Sequence, residues 1–444
     1  MKTRQLPTFA LAGALLFTAA LPVTSVGPQM AALMPVAALS AAENNNVRNT
    51  PAMREGTYRR FGRVRELADQ GEMKRAFEAL RSMSLNSLNS YEKAMYWNLA
   101  AFLHYQEEDL AATARAYEKL LEQSELPLSL EQDTRFSLAK VYNAREEYPK
   151  ALKALEGWFA MQDDPGADAF ALKSQLHYSQ SQWAPAAKAI DRAIELRRKD
   201  GREVAENWYL LKRGIHYQQE DYTALKDVLE VLVKEYTKKD YLMQLSAVYG
   251  ELDRPKEQLA VREAAYEKGY LEKSNEQISL AQMMASQNSP FKAARVIDKG
   301  LESGQVEDSA KNVKRMGDYY LMAKEYDRAL TAFARAAEKQ KDGEIHLRMS
   351  QVALERGDFQ DAVEYASEAI RRGGFDNMGR AHMVKGLAHF NLENYSQSLS
   401  ALDQARKLDG TGNSAQQWFD YVSREKDRKE ALEASAQPVE DPGA

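Results

Sequence analysis

Ten times along this chain a short pattern returns: a bulky residue, a small one three places later, an apolar one four further on, and another small or apolar one three beyond that. Clear copies are Tyr326, Ala329, Phe333 and Ala336; Phe359, Ala362, Ala366 and Ala369; and Trp183, Ala186, Ile190 and Ala193. The first small residue serves as a marker. It falls at Ala76, Thr113, Ala151, Ala186, Leu225, Gln258, Ala293, Ala329, Ala362 and Ser398, a period of roughly 36 residues. No single compact core can be built on such a period. Each unit reads as helix A, a short polar turn and helix B, and stacking of the units supplies a continuous core. The class is therefore all-α.

Turns show as Gln106–Asp109, Ala144–Glu147, Gln218–Asp221, Arg356–Asp358 and Leu392–Asn394, polar breaks between apolar stretches of helical period. Small residues at the markers let helices approach closely, toward the near end of the usual 8–10 Å. Pro149 follows Tyr148 at the start of a helix B, where its missing N–H costs nothing.

Residues 1–42 carry Lys2 and Arg4 and no acid, with an apolar run from Phe9 to Val26 and an Ala-rich stretch to Ala42. This is the pattern of a secretory signal with cleavage expected near Ala42. The alternative is an uncleaved inner-membrane anchor. The expected organisation is a signal peptide at 1–42, a flexible linker at 43–55, the solenoid at 56–422, and a polar helical cap with a disordered tail at 423–444. The chain has no cysteine, so disulfides, thiolate metal sites and an N-terminal lipid-modified cysteine are excluded. Net charge is −5 and no basic stripe runs along the chain, which argues against a nucleic-acid partner.

All six histidines fall in register with the repeat. His104, His177, His216 and His389 lie nine residues before a marker, and His346 and His382 lie sixteen before one. Both slots want a flat ring, so a packed imidazole outweighs a ligand or base. No phosphate-cradling loop, nucleophile elbow or paired-histidine zinc motif occurs. Neither a catalytic residue, a metal, a cofactor nor a small-molecule substrate is expected.

The units resemble the tetratricopeptide repeat (TPR) family. The second has Trp97, Ala101 and His104 on helix A, then Thr113, Tyr117 and Leu120; the third has Leu138, Ala139 and Tyr142, then Ala151, Leu155 and Trp158; the eighth has Met316, Gly317 and Tyr320, then Ala329, Phe333 and Ala336. The resemblance covers about residues 57–422. The first and sixth copies are weakest, and the array is expected to bend or loosen around Pro255 to Arg262. The resemblance implies a right-handed α-solenoid of about ten helix-turn-helix repeats that binds protein partners along the helix A residues. Candidate groove residues are Tyr105, Phe136, Gln175, Tyr178, Tyr217, Gln282, Gln351 and Phe390. Rings supply contact area at low entropic cost and amides bond a peptide backbone. The Lys and Asn pair that clamps a C-terminal carboxylate in chaperone-binding members is not found together in one unit.

Two short stretches, Ser90–Met95 before Trp97 and Pro290–Leu301, resemble segments of exported bacterial proteins encoded beside TonB, ExbB and ExbD components. That resemblance implies a periplasmic adaptor serving outer-membrane transport, with a periplasmic TonB-type domain or peptide as partner. The alternative is a scaffold for envelope assembly, such as polysaccharide export or peptidoglycan synthesis.

Overall fold

The computed structural model describes residues 52–408 and 410–436. The signal peptide expected at 1–42, and with it the cleavage site, lies outside the described residues. Two compact units divide the chain between Leu232 and Val233. Among the described residues there are α-helices and no strand.

The first unit holds α1 (Glu55–Asp69), α2 (Met73–Arg81), α3 (Ser90–Gln106), α4 (Leu110–Leu121), α5 (Leu128–Ala144), α6 (Tyr148–Phe159), α7 (Ala167–Ser179), α8 (Trp183–Lys199), α9 (Glu206–Gln218) and most of α10 (Tyr222–Tyr236). The second holds α11 (Lys239–Glu251), α12 (Pro255–Glu267), α13 (Ser274–Ser286), α14 (Pro290–Glu302), α15 (Ala310–Met322), α16 (Tyr326–Ala337), α17 (Glu344–Arg356), α18 (Phe359–Arg372), α19 (Met378–Asn391), α20 (Tyr395–Arg406) and α21 (Gly412–Ala436). Odd-numbered helices up to α19 are helix A of a pair and even-numbered ones helix B. Each unit is an α-solenoid of such pairs. Position 422 falls inside α21, and the first helix opens at Glu55.

Every marker residue lies on a helix B. Eight of them, from Ala76 to Ser398, have no exposed surface; Leu225 is buried and Gln258 half-buried. Facing them on helix A, twelve residues earlier in the chain, are equally small residues in eight pairs, while Val64 and Arg213 hold that slot in the first and fifth. At Gly317 an added Cβ would sit 2.6 Å from the ring of Phe333, so the bulky residue of α16 fills the place a side chain on α15 would need. Serine at the same slot uses the close approach for a bond: the Ser174 hydroxyl donates to the Ala186 carbonyl at 2.8 Å. Leu80, Leu120, Leu155, Ile190, Leu229 and Phe333 are fully buried between the layers, each contributing the several kcal/mol that truncating a packed core side chain removes, about 2–5.

The turns are closed by backbone. In all ten pairs the residue five before the marker has a positive φ, between 52° and 92°. It is glycine only at Gly71 and Gly357; elsewhere it is Glu108, Glu146, Ser181, Glu220, Asp253, Asn288, Lys324 or Glu393. The next N–H bonds the carbonyl of the ring-slot residue, as Asp109 N–H does to His104 and Glu325 N–H to Tyr320, both at 2.9 Å. This is the helix-ending motif that satisfies otherwise orphaned carbonyls.

The sixth pair makes the same turn: Asp253 has φ 52° and Arg254 N–H bonds the Tyr249 carbonyl at 2.9 Å. Its helices bury Leu242, Leu245, Val248, Leu259 and Ala265, and a polar contact stands at the marker. Ser246 donates to the Gln258 carbonyl at 3.3 Å and receives the Arg262 guanidinium at 3.3 Å.

The start of the array is fixed by a buried carboxylate. Glu92, in the first turn of α3, has no exposed surface. It accepts from the backbone N–H of Arg54 at 3.0 Å and of Asn89 at 3.1 Å, and from the Arg54 guanidinium. Asn89 caps α3 by accepting from Glu92 N–H at 2.8 Å, completing a capping box. The Arg54 guanidinium, with its bonds to both oxygens, holds the Glu92 carboxyl down to about 2 against the cost of burial.

Candidate interaction surface

Helix A buries one face against its own helix B and turns the other away. The residue one place after the ring slot lies on the flank toward the next helix A. The structure places the eight candidate residues on or beside this outer face, in different settings.

Tyr105 is half-buried and lines an open cavity of about 440 Å3 with Gln106, Leu110, Lys140, Val141 and Ala144. Burial pushes its phenol up, helped by Glu108. Lys140 places its ammonium 4.5 Å from the centre of the Phe136 ring, which packs on Trp158 at 4.9 Å. Burial pulls this lysine below its ordinary value. Tyr105, Phe136 and Lys140 therefore form one local surface across α3 and α5.

Gln175 is half-buried on α7. Tyr178 is committed to packing: its ring meets Trp183 edge-on at 5.2 Å, and a Cβ at Gly214 on α9 would lie 3.3 Å from its hydroxyl. Tyr217 is 38% exposed, the most open of the aromatic candidates. In the second unit Gln282 is exposed, and the Gln351 side chain accepts from Arg348 at 3.3 Å. Arg348 also pairs with Asp318, which pairs with Lys314, which reaches Glu344 at 3.2 Å. Phe390 packs with Tyr395, Trp418 and Tyr421 at centroid distances of 5.6–6.1 Å, so α21 covers it. Trp418 and Tyr421 leave 37% and 42% of their surface open.

Sequence reasoning missed the Lys314–Asp318–Arg348 group, Trp418 and Tyr421. The charged group was legible as three polar residues recurring on the outer faces of α15 and α17; α21 has no marker of its own to set a register.

The histidines are packed rings. His104 lies 4.9 Å from Phe77. His177 is 8% exposed and holds Gln182 through Nδ1 at 2.6 Å. Burial pushes His104, His216, His346, His382 and His389 below the ordinary histidine value. Among the described residues no group of three acids or histidines is placed to hold a metal, and no helix is long and apolar enough to cross a membrane.

The tetratricopeptide repeat family model matches residues 314–377 and 347–413, which run from α15 to the start of α21. The match spans residues 314–413 as tetratricopeptide repeats, and the helix pairs before it keep the same register of markers and left-handed turn residues. Members are generally non-catalytic scaffolds for protein–protein interaction. No curated protein matches the chain. Among solved structures, a tetratricopeptide repeat protein from Parabacteroides merdae is 14% identical over 68% of this chain and all of its own, with a TM-score of 0.34. The TPR protein YrrB, described as having an unusual peptide-binding site, is 15% identical over 43% of this chain and 96% of its own (TM-score 0.33). The structure of Naa15/Naa10 bound to HypK-THB is 12% identical over 88% and 69% (TM-score 0.38).

Proposed function

We propose that this protein is a non-catalytic periplasmic adaptor whose helix A faces hold a protein partner, serving a TonB-type energy-transduction system for outer-membrane transport. The observation that carries the scaffold reading is the local surface of Tyr105, Phe136 and Lys140 on successive helices A, with an open cavity of about 440 Å3 beside it. Rigid rings beside a half-buried cation suit an extended peptide, which supplies carbonyls to the ammonium and side chains to the cavity. The export pattern of residues 1–42 and the stretches Ser90–Met95 and Pro290–Leu301 support the periplasmic and TonB-linked parts.

A photo-crosslinking residue at Tyr217, installed in living cells, should trap a TonB-type periplasmic domain. Purified protein should bind that domain, and Tyr105→Ala should weaken binding while helicity is kept. Tyr178→Ala is a poorer probe, since it would leave a void against Gly214. Trapping of polysaccharide-export or peptidoglycan enzymes instead would replace the TonB reading with envelope assembly. Unchanged affinity in Tyr105→Ala and Tyr217→Ala would remove the surface.

A further inference from the structure

A cavity of about 730 Å3 opens between α7 and α8, away from the candidate surface. Its α7 side is Phe170, Lys173 and His177, spaced to share one face. At about 100° per residue His177 lies about 200° around α7 from Gln175, so the cavity and the outer helix A face are distinct. Its α8 side includes Pro185, Lys188 and Ala189. Phe170, Pro185 and Ala189 make an apolar floor.

The polar groups divide into spent and available ones. Asp191 is paired with Lys212 at 2.6 Å and Glu195 with Arg192 at 2.8 Å. Among the described residues neither Lys173 nor Lys188 makes an ion pair; Lys173 rests over the Phe159 ring at 5.0 Å and Lys188 is exposed. Two cations are thus left at the rim. His177, more than nine-tenths buried, donates Nδ1–H to the Gln182 side-chain oxygen at 2.6 Å. With Nδ1 spent on Gln182, Nε2 is the ring nitrogen left to bond a guest. No described residue bonds it.

We propose that this cleft is a second docking site, which takes an acidic segment of a protein partner that inserts a tyrosine. The ring lies on Phe170, Pro185 and Ala189; the phenol donates to Nε2 of His177; flanking carboxylates meet Lys173 and Lys188. Cavity volume suits one aromatic side chain and its neighbours, within the range of about 300–1,000 Å3 common for ligand sites. The site lets the adaptor hold one partner on the helix A face and another on the opposite side.

The test uses the full chain and three fluorescein-labelled pentapeptides, read by anisotropy: Asp-Glu-Tyr-Asp-Glu, Asp-Glu-Phe-Asp-Glu and Asn-Gln-Tyr-Asn-Gln. The acidic tyrosine peptide should bind most tightly. Loss of the hydroxyl should cost about fivefold, and loss of the carboxylates about tenfold at low salt, with the salt dependence gone. Lys188→Glu, at an exposed position, should reproduce the second loss. His177→Phe, which keeps a ring in the slot, should erase the difference between the tyrosine and phenylalanine peptides. Tyr217→Ala should change nothing here, which separates failure of this site from failure of the helix A surface. No binding at millimolar peptide, equal binding of tyrosine and phenylalanine peptides, or full affinity in Lys188→Glu would each overturn the proposal.

Discussion

Replacing Glu92 by glutamine tests how the array is started. The wild-type carboxylate, itself without exposed surface, accepts two backbone N–H groups and a guanidinium. Glutamine keeps the shape and one acceptor oxygen but puts an amide donor where a second acceptor stood. Bonds to a charged group contribute about 1.5–3 kcal/mol each in favourable settings. The Arg54 side chain is more than half exposed and regains water when released, so the upper figures do not apply. The net cost should be about 2 kcal/mol. Because a repeat contacts only its neighbours, that cost falls on α1 and α2 rather than on the whole chain. Amide hydrogen exchange in α1 should then speed up about thirtyfold, with α13 to α20 unchanged. The pH dependence has a fixed sign. The folded carboxyl is held down to about 2 from an ordinary 4.5, so the contribution is complete above 4.5 and is lost as pH falls from there toward 2. Protection of α1 in wild type should fall across that window, and in Glu92→Gln it should be flat. Equal protection in the two proteins at pH 7, or parallel acid profiles, would refute the assignment.

Three further outcomes follow from the packing. Glycine at Glu108, Glu146 or Lys324 should stabilise its pair by about 0.5–1 kcal/mol, since each holds a positive φ at a cost of about 1–2 kcal/mol that the entropy of glycine only partly cancels; hydrogen exchange in the flanking helices reports it. Gly317→Ala should destabilise by about 1–3 kcal/mol in denaturant melts, and Phe333→Leu in the same chain should recover part of that, because the added Cβ meets the Phe333 ring. The half-buried imidazoles of His104 and His389, pushed below their ordinary 6.5, stay neutral to lower pH in the fold than in the unfolded chain. Stability should therefore fall as pH drops below 6.5, and a His104→Phe, His389→Phe double variant should have a shallower slope there.

Side-chain periodicity made the fold legible. Ala76, Ala151 and Ala329 announce helix B because small residues recur there at a fixed period, and the histidines at 104, 216 and 389 announce a ring slot because they keep step with Tyr142 and Tyr320. The turns were legible only as polar breaks. Nothing in Glu108 or Lys324 as a residue type signals a positive φ, because the conformation is imposed by the two helices the turn joins. Glu92 was within reach: Asn89 followed three places later by Glu92 is a capping signature, although burial of the carboxylate depends on Arg54, which lies 38 residues away. Of the candidate surface, Tyr105 and Tyr178 occupy equivalent slots and differ because Gly214 leaves room for one ring to pack while Lys140 holds the other beside a cavity. Periodicity cannot distinguish them.

Closure of each turn by main-chain atoms frees its side chains for another use. The N–H after the left-handed residue is indispensable, so proline there would open the pair, but almost any other residue serves. The chain has filled many of these positions with acids: Glu107, Glu108 and Asp109 in one turn, Glu146 and Glu147 in another, then Glu220 and Asp221, Asp253, Glu325, Asp358 and Glu393. Successive turns fall on the same side of a stack of pairs. In the first unit the turns therefore carry a line of negative potential along one edge, whereas in the second Arg254, Lys324 and Arg356 stand in the same turns as the acids and balance them. Such an edge repels its own copies, keeps neighbouring arrays from stacking side by side, and draws a basic partner in from a distance at low ionic strength.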